Sequence, residues 1–276
     1  MQLTQEQKRF FDEFGFLQLP GLLSDRIESV IADFENVFIE HGGGHNGSGH
    51  DGKARSCIPR FVDESEGLSS LLDDPRIAGI AAGLLGENWN YIGSDGNFYV
   101  GDTPWHTDGW HAVGKYIKFA FYLDHVTRDT GALRVIPGSH RVDGNGESPF
   151  GGMRNPTQNY AMEGRAVPAH ALETTPGDVA VFNHNIFHSA WGGNARRRMF
   201  TLNLCDHADN QTKIKDLEEC VAGGARFWIN EPFGAKMLRT ASDERMKHLQ
   251  QVLDHSKHLP ALAAKARATM SEPARG

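Results

Sequence analysis

The feature that most constrains the fold is a change of residue pattern after Gly86. From there to about residue 205, short runs of aromatic and β-branched residues alternate with Gly, Asp, Asn and Pro. This pattern predicts antiparallel strands joined by turns. The predicted strands are Asn90–Ile92, Asn97–Val100, Tyr116–Leu123, Leu133–Ile136, Val179–Phe182 and Arg198–Cys205.

Helical patterns lie on both sides of this region. Thr4 is placed to cap a first helix that Gly15 ends, and Phe16–Leu19 predicts a short strand. Ser24 is placed to cap a second helix that runs to about Phe38. We therefore expect a mainly β fold with flanking α-helices, in which helices pack outside a β-sandwich. Further helices are predicted at Leu68–Leu72, Pro75–Leu85, Thr212–Val221, Ser242–His255 and Leu259–Met270.

The chain has 276 residues, which is enough to bury a substantial core without disulfide or metal crosslinks. No long linker divides it, so we expect one domain over residues 1–276, with N-terminal helices at 1–86, a core at about 87–206 and a C-terminal helical segment at 207–276. Residues 41–53 are rich in Gly and polar residues, which predicts a mobile, solvated loop that could close over a substrate.

Composition excludes several classes of function. A net charge of −7 argues against a general surface for nucleic acid or anionic membranes, although a local basic pocket for an acidic ligand remains compatible with it. The three cysteines form no C-x-x-C pair, which argues against a disulfide framework and a thiolate zinc site. The polar start is not a secretory signal, and the longest apolar stretch is too short to span a bilayer. We expect a cytoplasmic monomer or homodimer.

The most informative stretch for chemistry is Gly101-Asp-Thr-Pro-Trp-His-Thr-Asp-Gly-Trp-His111. His106 and Asp108 are two residues apart, so on an extended backbone both side chains point to the same face. One nitrogen and one oxygen ligand suit a first-row divalent metal. With a third ligand they would form a facial triad that leaves positions open for a cosubstrate and oxygen. An isolated H-x-D occurs by chance in many proteins, so the third ligand matters.

A second stretch, from Pro176 to Trp191, offers that third ligand. A Pro-Gly-Asp turn and the strand Val179–Phe182 lead to two histidines, His184 and His188, and either could complete the triad. The following Gly-Gly-Asn-Ala segment predicts a hairpin turn, which would bring residues on its two sides close together.

Three consecutive arginines, Arg196, Arg197 and Arg198, follow this turn. An arginine near the metal could bind the far carboxylate of a dicarboxylate cosubstrate, because its guanidinium matches a carboxylate in shape and charge. Alternation places Arg197 on the more polar strand face with Met199, which suits a pocket wall. Arg198 is the alternative if a bulge shifts the register, and a solvated basic turn is the alternative without function.

These residues resemble the phytanoyl-CoA dioxygenase family of Fe(II)/2-oxoglutarate oxygenases, which includes ectoine hydroxylases. The resemblance follows ordered motifs along most of the chain, and the C-terminal seventy or so residues contribute little to it. The motifs are Phe14-Gly-Phe-Leu-Gln-Leu-Pro-Gly-Leu-Leu-Ser24, Trp105-His-Thr-Asp108, Thr130-Gly-Ala-Leu-Arg-Val-Ile-Pro-Gly-Ser-His-Arg141, Pro176-Gly-Asp178 and His188-Ser189.

The resemblance implies a double-stranded β-helix, or jelly-roll, core that uses Fe(II), 2-oxoglutarate and O2, with ascorbate as an optional aid. It implies that His106, Asp108 and His188 are the iron ligands and that an arginine near 197 binds 2-oxoglutarate. Many members carry a small polar residue where this chain has Ala190, so a further contact to 2-oxoglutarate could come from other side chains. The candidates for that contact are Asn97, Tyr99 and Thr201.

The implied reaction is hydroxylation of a small molecule with release of succinate and CO2. Asp108 occupies the position that halogenating relatives leave to Gly or Ala, so oxygenation is favoured over halogenation. Desaturation, epimerisation and oxidative cyclisation remain alternatives with the same cofactors. A silent jelly-roll binding protein and a zinc hydrolase or isomerase are alternatives of other classes. Lys118 shares a strand face with Tyr122 and could point inward, although a solvated lysine is the more usual arrangement.

Overall fold

The strand-rich middle of the chain forms two antiparallel sheets in a computed structural model, which describes residues 1–142 and 148–276. The larger sheet has seven strands in the order β1-β9-β6-β11-β4-β2, with β3 beside β11, and the smaller sheet has the order β5-β10-β7-β8. The strands are β1 (Phe16–Leu19), β2 (Ser56–Pro59), β3 (Asn90–Gly93), β4 (Asp95–Tyr99), β5 (Thr103–His106), β6 (Tyr116–Tyr122), β7 (Leu133–Val135), β8 (His170–Leu172), β9 (Val179–Asn183), β10 (His188–Ala190) and β11 (Arg197–Cys205).

The helices flank these sheets, as the sequence predicted, but the sheets begin earlier than residue 87. Two strands, β1 and β2, lie within the first 86 residues and pair with β9 and β4. The helices are α1 (Gln5–Phe14), α2 (Ile27–Glu40), α3 (Glu66–Ser69), α4 (Pro75–Leu85), α5 (Pro156–Tyr160), α6 (Gln211–Ala222), α7 (Ala235–Arg239), α8 (Asp243–Asp254) and α9 (Leu259–Thr269).

The first helix begins and ends where the sequence places its boundaries, and the second does not. Thr4 and Gln7 form a reciprocal capping box on α1, and Gly15 ends it with φ of 82°. Ser24 does not cap α2, whose N-cap position is held by Arg26. The prediction is wrong because the amides of Ser24 and Arg26 donate to the carbonyls of Gly21 and Leu23, so these residues form turns before the helix starts.

Strand alternation divides the apolar residues between two cores. Phe200 and Leu202 face outward from the larger sheet into a core shared with the helices. Met199 faces the other way, where it packs with Tyr122 and with Leu133 of the smaller sheet. The two sheets therefore face each other in a jelly-roll arrangement without forming a closed barrel, and the predicted fold class is confirmed.

The connection between β10 and β11 differs from the prediction. We expected a hairpin at residues 192–195, but β10 pairs with β5 and β7, whereas β11 pairs with β6, β4 and β3. Both edges of β10 are already occupied, so the chain crosses from the smaller sheet to the larger one. The hairpin prediction is therefore wrong, and the two strands contribute side chains from opposite walls of the space between the sheets.

Residues 41–53 pack against the C-terminal segment. The His45 side chain is buried, and its two ring nitrogens lie 3.3 Å and 3.0 Å from the carbonyl oxygens of Cys57 and Pro273. The prediction of a solvated loop fails at His45, whose contacts were not visible in the Gly-rich composition, whereas most of the segment is exposed or partly exposed. Among the described residues, no helix is long and apolar enough to cross a membrane.

Candidate active site

Three predicted ligands meet on the inner side of the smaller sheet. Pairing of β5 with β10 sets His106 directly opposite His188, and their ring centroids are 4.2 Å apart. Asp108 follows β5 by two residues, and its Oδ1 lies 3.8 Å from Nε2 of His188. One ligand atom from each of the three residues lies within 4.8 Å of the others, which is close enough to hold one metal ion.

Hydrogen bonds to the backbone engage one ring nitrogen of each imidazole. Nδ1 of His106 lies 2.8 Å from the carbonyl oxygen of Pro104, and Nδ1 of His188 lies 3.0 Å from that of Ile186. A carbonyl can only accept, so both Nδ1 atoms carry the proton and both Nε2 atoms are left with a free lone pair. Metal-binding histidines are usually held in this way.

Electrostatics favour the protonation states that a metal site needs. Burial alone would raise the pKa of Asp108, but the Lys118 ammonium and the neighbouring imidazoles outweigh it and hold that pKa well below its usual range. Burial lowers the pKa of His188 to about 3, and the proximity of His106 adds to the effect. The site therefore offers an ionised carboxylate and a neutral His188 imidazole without any bound cation.

Lys118 points into this site. Its Nζ lies 2.9 Å from Oδ2 of Asp108, and only 15% of its side chain is exposed. A solvated lysine would have been the more usual arrangement, but alternation along β6 places Lys118 on the inner face, which it shares with Tyr122. The inward orientation that the strand pattern allowed is the one observed.

His184, the other candidate third ligand, lies beside the cluster without joining it. Its backbone carbonyl accepts a hydrogen bond of 3.0 Å from the amide of Asp108, so it helps to fix the loop that carries the carboxylate. Its side chain is buried and lines the same cavity, and its Nε2 has no hydrogen-bond partner within residues 1–142 and 148–276. The structure groups His188, and not His184, with the other two predicted ligands.

A cavity of about 560 Å³ extends from the three ligands between the sheets, which is within the usual size range for small-molecule sites. Arg197 lies next to residues that line it: its side chain is buried, with Cζ 5.2 Å from the centroid of the Tyr99 ring. Its Nε and one terminal nitrogen, Nη1, lack hydrogen-bond partners among the described residues. A Cβ atom at Gly131 or Gly193 would collide with its guanidinium, so these glycines leave room for the arginine.

Arg198 has a different environment from its neighbour. Its guanidinium pairs with Asp124 at 2.5 Å and with Glu35 at 2.9 Å, and part of its side chain is exposed. These two carboxylates occupy the donors that a cosubstrate would need. Of the two arginines considered, Arg197 alone combines burial with unpartnered donors.

The remaining predicted contacts are arranged around Asp95. Tyr99 and Thr201 line the cavity. The Thr201 hydroxyl donates to Asp95 at 2.6 Å, and the Asn97 amide nitrogen also donates to Asp95 at 2.6 Å. The side chains of Asn97 and Thr201 are therefore engaged with this carboxylate.

Sequence reasoning missed Arg55, which completes this network. Its Nη2 lies 3.1 Å from Asp95, its Nε donates to Asn97 at 2.8 Å, and its guanidinium lies 4.2 Å from the centroid of the Tyr99 ring. Arg55 immediately precedes β2, and only the pairing of β2 with β4 brings it to the cavity. No local motif surrounds it, so the sequence carried no signal for this role.

Part of the cavity lining comes from the C-terminal segment. The end of α6 and the turn that follows it contribute an arginine, small residues and apolar side chains to the cavity lining. The residues are Glu219, Cys220, Gly223, Gly224, Arg226, Phe227, Ile229 and Pro232. Sequence reasoning predicted helices in this segment but assigned no residue of it to the site.

The sequence matches a family and one named relative. The family model described as Phytanoyl-CoA dioxygenase (PhyH) matches residues 11–199. A protein named 2-aminoethylphosphonate dioxygenase, from the uncultured bacterium HF130_AEPn_1, is 25% identical over 217 residues, which cover 71% of this chain and 80% of the relative.

Solved structures share the fold at lower identity. SnoK, a non-heme alpha-ketoglutarate-dependent carbocyclase from nogalamycin biosynthesis, is 23% identical with a TM-score of 0.59, covering 74% of this chain and 84% of its own. EctD from S. alaskensis with bound Fe is 21% identical with a TM-score of 0.58, covering 74% and 77%. HygX from Streptomyces hygroscopicus with nickel and 2-oxoglutarate bound is 17% identical with a TM-score of 0.58, covering 75% and 89%.

The family match spans more than half of the chain, and the structural matches share its two-sheet core. The resemblance seen in the sequence motifs is thereby confirmed. The chain belongs to the phytanoyl-CoA dioxygenase family and is an oxidoreductase of the iron- and 2-oxoglutarate-dependent oxygenase type.

Proposed function

We propose that this enzyme hydroxylates a small polar molecule, using Fe(II), O2 and 2-oxoglutarate, with release of succinate and CO2. The observation that carries the proposal is the combination of a complete His106, Asp108 and His188 cluster with a buried, unpartnered arginine, Arg197, beside the same cavity. A silent binding protein would have no need for all of these groups to be retained together.

The side chains fit the cofactors in number and in chemistry. Nε2 of His106, Nε2 of His188 and Oδ1 of Asp108 would hold iron, because the other ring nitrogens are occupied by backbone carbonyls and Oδ2 is occupied by Lys118. When bound, iron and 2-oxoglutarate together activate O2 for transfer of one oxygen atom to the substrate. A carboxylate and two imidazoles would leave coordination positions open for the cosubstrate and oxygen.

Arg197 would hold the far carboxylate of 2-oxoglutarate. Its buried Nε and Nη1 have no partner of their own, and a buried donor without a partner is costly unless a ligand satisfies it. Tyr99 lies against the guanidinium and lines the cavity, so it remains our candidate for a second contact to the cosubstrate. For Asn97 and Thr201 we propose a different role, which is to hold Asp95 and thereby Arg55.

The alignment with the relative named 2-aminoethylphosphonate dioxygenase covers 80% of that relative. An aminoalkylphosphonate is therefore the first substrate class to test. Asp108 favours oxygenation over halogenation, because a carboxylate ligand leaves no position for a halide. Ring closure is a second candidate, since SnoK is described as a carbocyclase, and it would use the same residues. The two reactions differ in their products: hydroxylation adds one oxygen atom, and ring closure removes two hydrogen atoms.

The test is a screen of small metabolites, with 2-aminoethylphosphonate included, for compounds that stimulate succinate formation by the Fe(II)-loaded enzyme in air. We expect at least one compound to give stoichiometric succinate and a product heavier by one oxygen atom, and Asp108→Ala to give neither. Conversion of a compound under anaerobic conditions with zinc in place of iron would instead favour a hydrolase or isomerase and would overturn the proposal.

A further inference from the structure

The charged residues that line the cavity are not evenly paired. Two acid–base pairs neutralise each other within it, namely Arg55 with Asp95 at 3.1 Å and Lys118 with Asp108 at 2.9 Å. Once these pairs are set aside, the lining retains two further arginines and one further carboxylate.

The two remaining arginines are Arg60 and Arg226, and among the described residues neither has a carboxylate within ion-pair distance. Arg226 is exposed, and its guanidinium lies 4.7 Å from the centroid of the Phe227 ring. Arg60 donates from Nη1 to the backbone carbonyl of Glu231 at 3.1 Å, while its Nε is buried and has no partner in the part of the chain that the structure describes. An unpartnered buried donor beside a cavity indicates a ligand that accepts hydrogen bonds.

The remaining carboxylate does not neutralise them. Glu219 lies at the end of α6, and 68% of its side chain is exposed. It pairs at 3.8 Å with Lys215 one turn earlier, so its charge is directed along the helix surface and screened by solvent. Among the side chains that line the cavity, Arg and Lys therefore outnumber Asp and Glu by four to three, in a chain whose net charge is −7.

Apolar side chains also line this cavity. Phe227 and Ile229 line it from the C-terminal segment, and Ile92 lines it from β3. We propose that Arg60 and Arg226 form an anion subsite that binds the acidic group of the substrate, a phosphonate or carboxylate, while a short apolar part of the substrate packs against Phe227 and Ile229. The identification of this ligand as the substrate rests on the proposed oxygenase function.

The position of Arg226 in the sequence suggests that the subsite is a specificity determinant of this chain. The family match ends at residue 199, and Arg226 lies beyond it. The segment is held in place by the rest of the fold, because the backbone carbonyl of Arg226 accepts a hydrogen bond of 2.9 Å from the amide of Ala274. Arg60 lies within the family match, and its backbone amide donates to the carbonyl of Ser94 at 2.8 Å.

The experiment compares small acids with neutral molecules of similar size. Binding of methylphosphonate and propionate, and of dimethyl methylphosphonate and propionamide, is measured by calorimetry on the anaerobic enzyme loaded with Fe(II) and 2-oxoglutarate. The variants are Arg226→Gln, Arg60→Gln and the double substitution, and Arg141→Gln is the control. Arg141 is exposed and pairs with Glu13 at 3.0 Å, so its substitution removes the same charge elsewhere on the surface.

We expect both acids to bind more tightly than their neutral counterparts. Each single substitution should weaken binding of the acids by about tenfold, the double substitution should weaken it further, and Arg141→Gln should leave it unchanged. Arg226→Gln provides the safer variant for folding, because this side chain is exposed and without an ion pair. Acids that bind no better than the neutral compounds, or a double variant that binds them like the parent, would overturn the subsite.

The visible absorption of the Fe(II) and 2-oxoglutarate complex is recorded on the same samples and tests the proposed function separately. Arginine-dependent binding of acids without that absorption would retain the anion subsite and reject the oxygenase assignment of the metal site. Absorption with no preference for acids would retain the oxygenase and reject the subsite.

Discussion

Nζ of Lys118 lies 2.9 Å from Oδ2 of Asp108, so a lysine of the larger sheet holds a carboxylate in the loop that follows β5 of the smaller sheet. The same carboxylate presents Oδ1 to Nε2 of His188 at 3.8 Å. One oxygen is thereby fixed by the protein, and the other is left for a metal ion. The lysine is a positioning residue for the proposed iron site, because it orients a ligand without being one.

Substitution of Lys118 should weaken the metal site while leaving its three ligands in place. We expect Lys118→Met to lower Fe(II) affinity by about ten- to a hundredfold, the range found when outer partners of metal ligands are removed. Equilibrium titration of the apoprotein with Fe(II) under anaerobic conditions measures this directly. Lys115→Met is the matched control, since 36% of the Lys115 side chain is exposed and it pairs with Asp12 on the surface. Equal Fe(II) affinities in the two variants would show that Lys118 does not position a metal ligand.

Substitutions of the two neighbouring arginines should have different effects, one on cosubstrate binding and the other on stability. Arg197→Gln should raise the KM for 2-oxoglutarate by about ten- to a hundredfold, because a charge-assisted hydrogen bond in a buried site is lost. Arg198→Gln should leave that KM unchanged and reduce the free energy of unfolding by about 1 kcal/mol or less, because its ion pairs with Asp124 and Glu35 are partly exposed. Steady-state kinetics and urea unfolding measure the two effects. The reverse pattern would assign the cosubstrate contact to Arg198.

Asp63 should make stability depend on pH in a predictable direction. Its carboxyl accepts hydrogen bonds from Tyr91 and from the amide of Gly234, and burial raises its pKa to about 7. Because the folded pKa lies above the unfolded value, the stabilisation is complete at about pH 4 and is lost as pH rises to about 7, by on the order of 4 kcal/mol. Asp63→Asn resembles the protonated acid and should remove this loss.

Urea unfolding of the parent and of Asp63→Asn at a series of pH values provides the measurement. Other titrating groups are common to both proteins and cancel in the difference. We expect the parent to lose stability relative to the variant between about pH 4 and pH 7 and to change little relative to it above that range. If the free energies of unfolding of the two proteins run parallel with pH, the Asp63 carboxyl ionises in the folded state without loss of stability.

Local patterns in the sequence predicted the parts of the fold and site that depend on local geometry. The spacing of His106 and Asp108 placed both side chains on one face, and alternation along β11 placed Arg197 towards the smaller sheet. Thr4 and Gly15 likewise set both ends of α1. In each case the relevant contacts lie within a few residues of one another or follow from strand periodicity.

Features that depend on distant pairing were not predictable in this way. The residues at 192–195 have the composition of a tight turn, but composition does not state which sheet receives the next strand. Arg55 reaches Asp95 only because β2 pairs with β4, and Arg226 reaches the cavity only because the C-terminal segment folds back over it. His45 is buried by Pro273, which lies more than two hundred positions later in the chain.

We propose that His106, Asp108 and His188 bind iron together with 2-oxoglutarate. Anaerobic addition of Fe(II) and 2-oxoglutarate to the apoprotein should produce a weak visible charge-transfer band. His106→Ala and His188→Ala should abolish it, and Arg198→Gln should retain it. Absence of the band in the parent, or its persistence at full intensity in both histidine variants, would contradict the assignment.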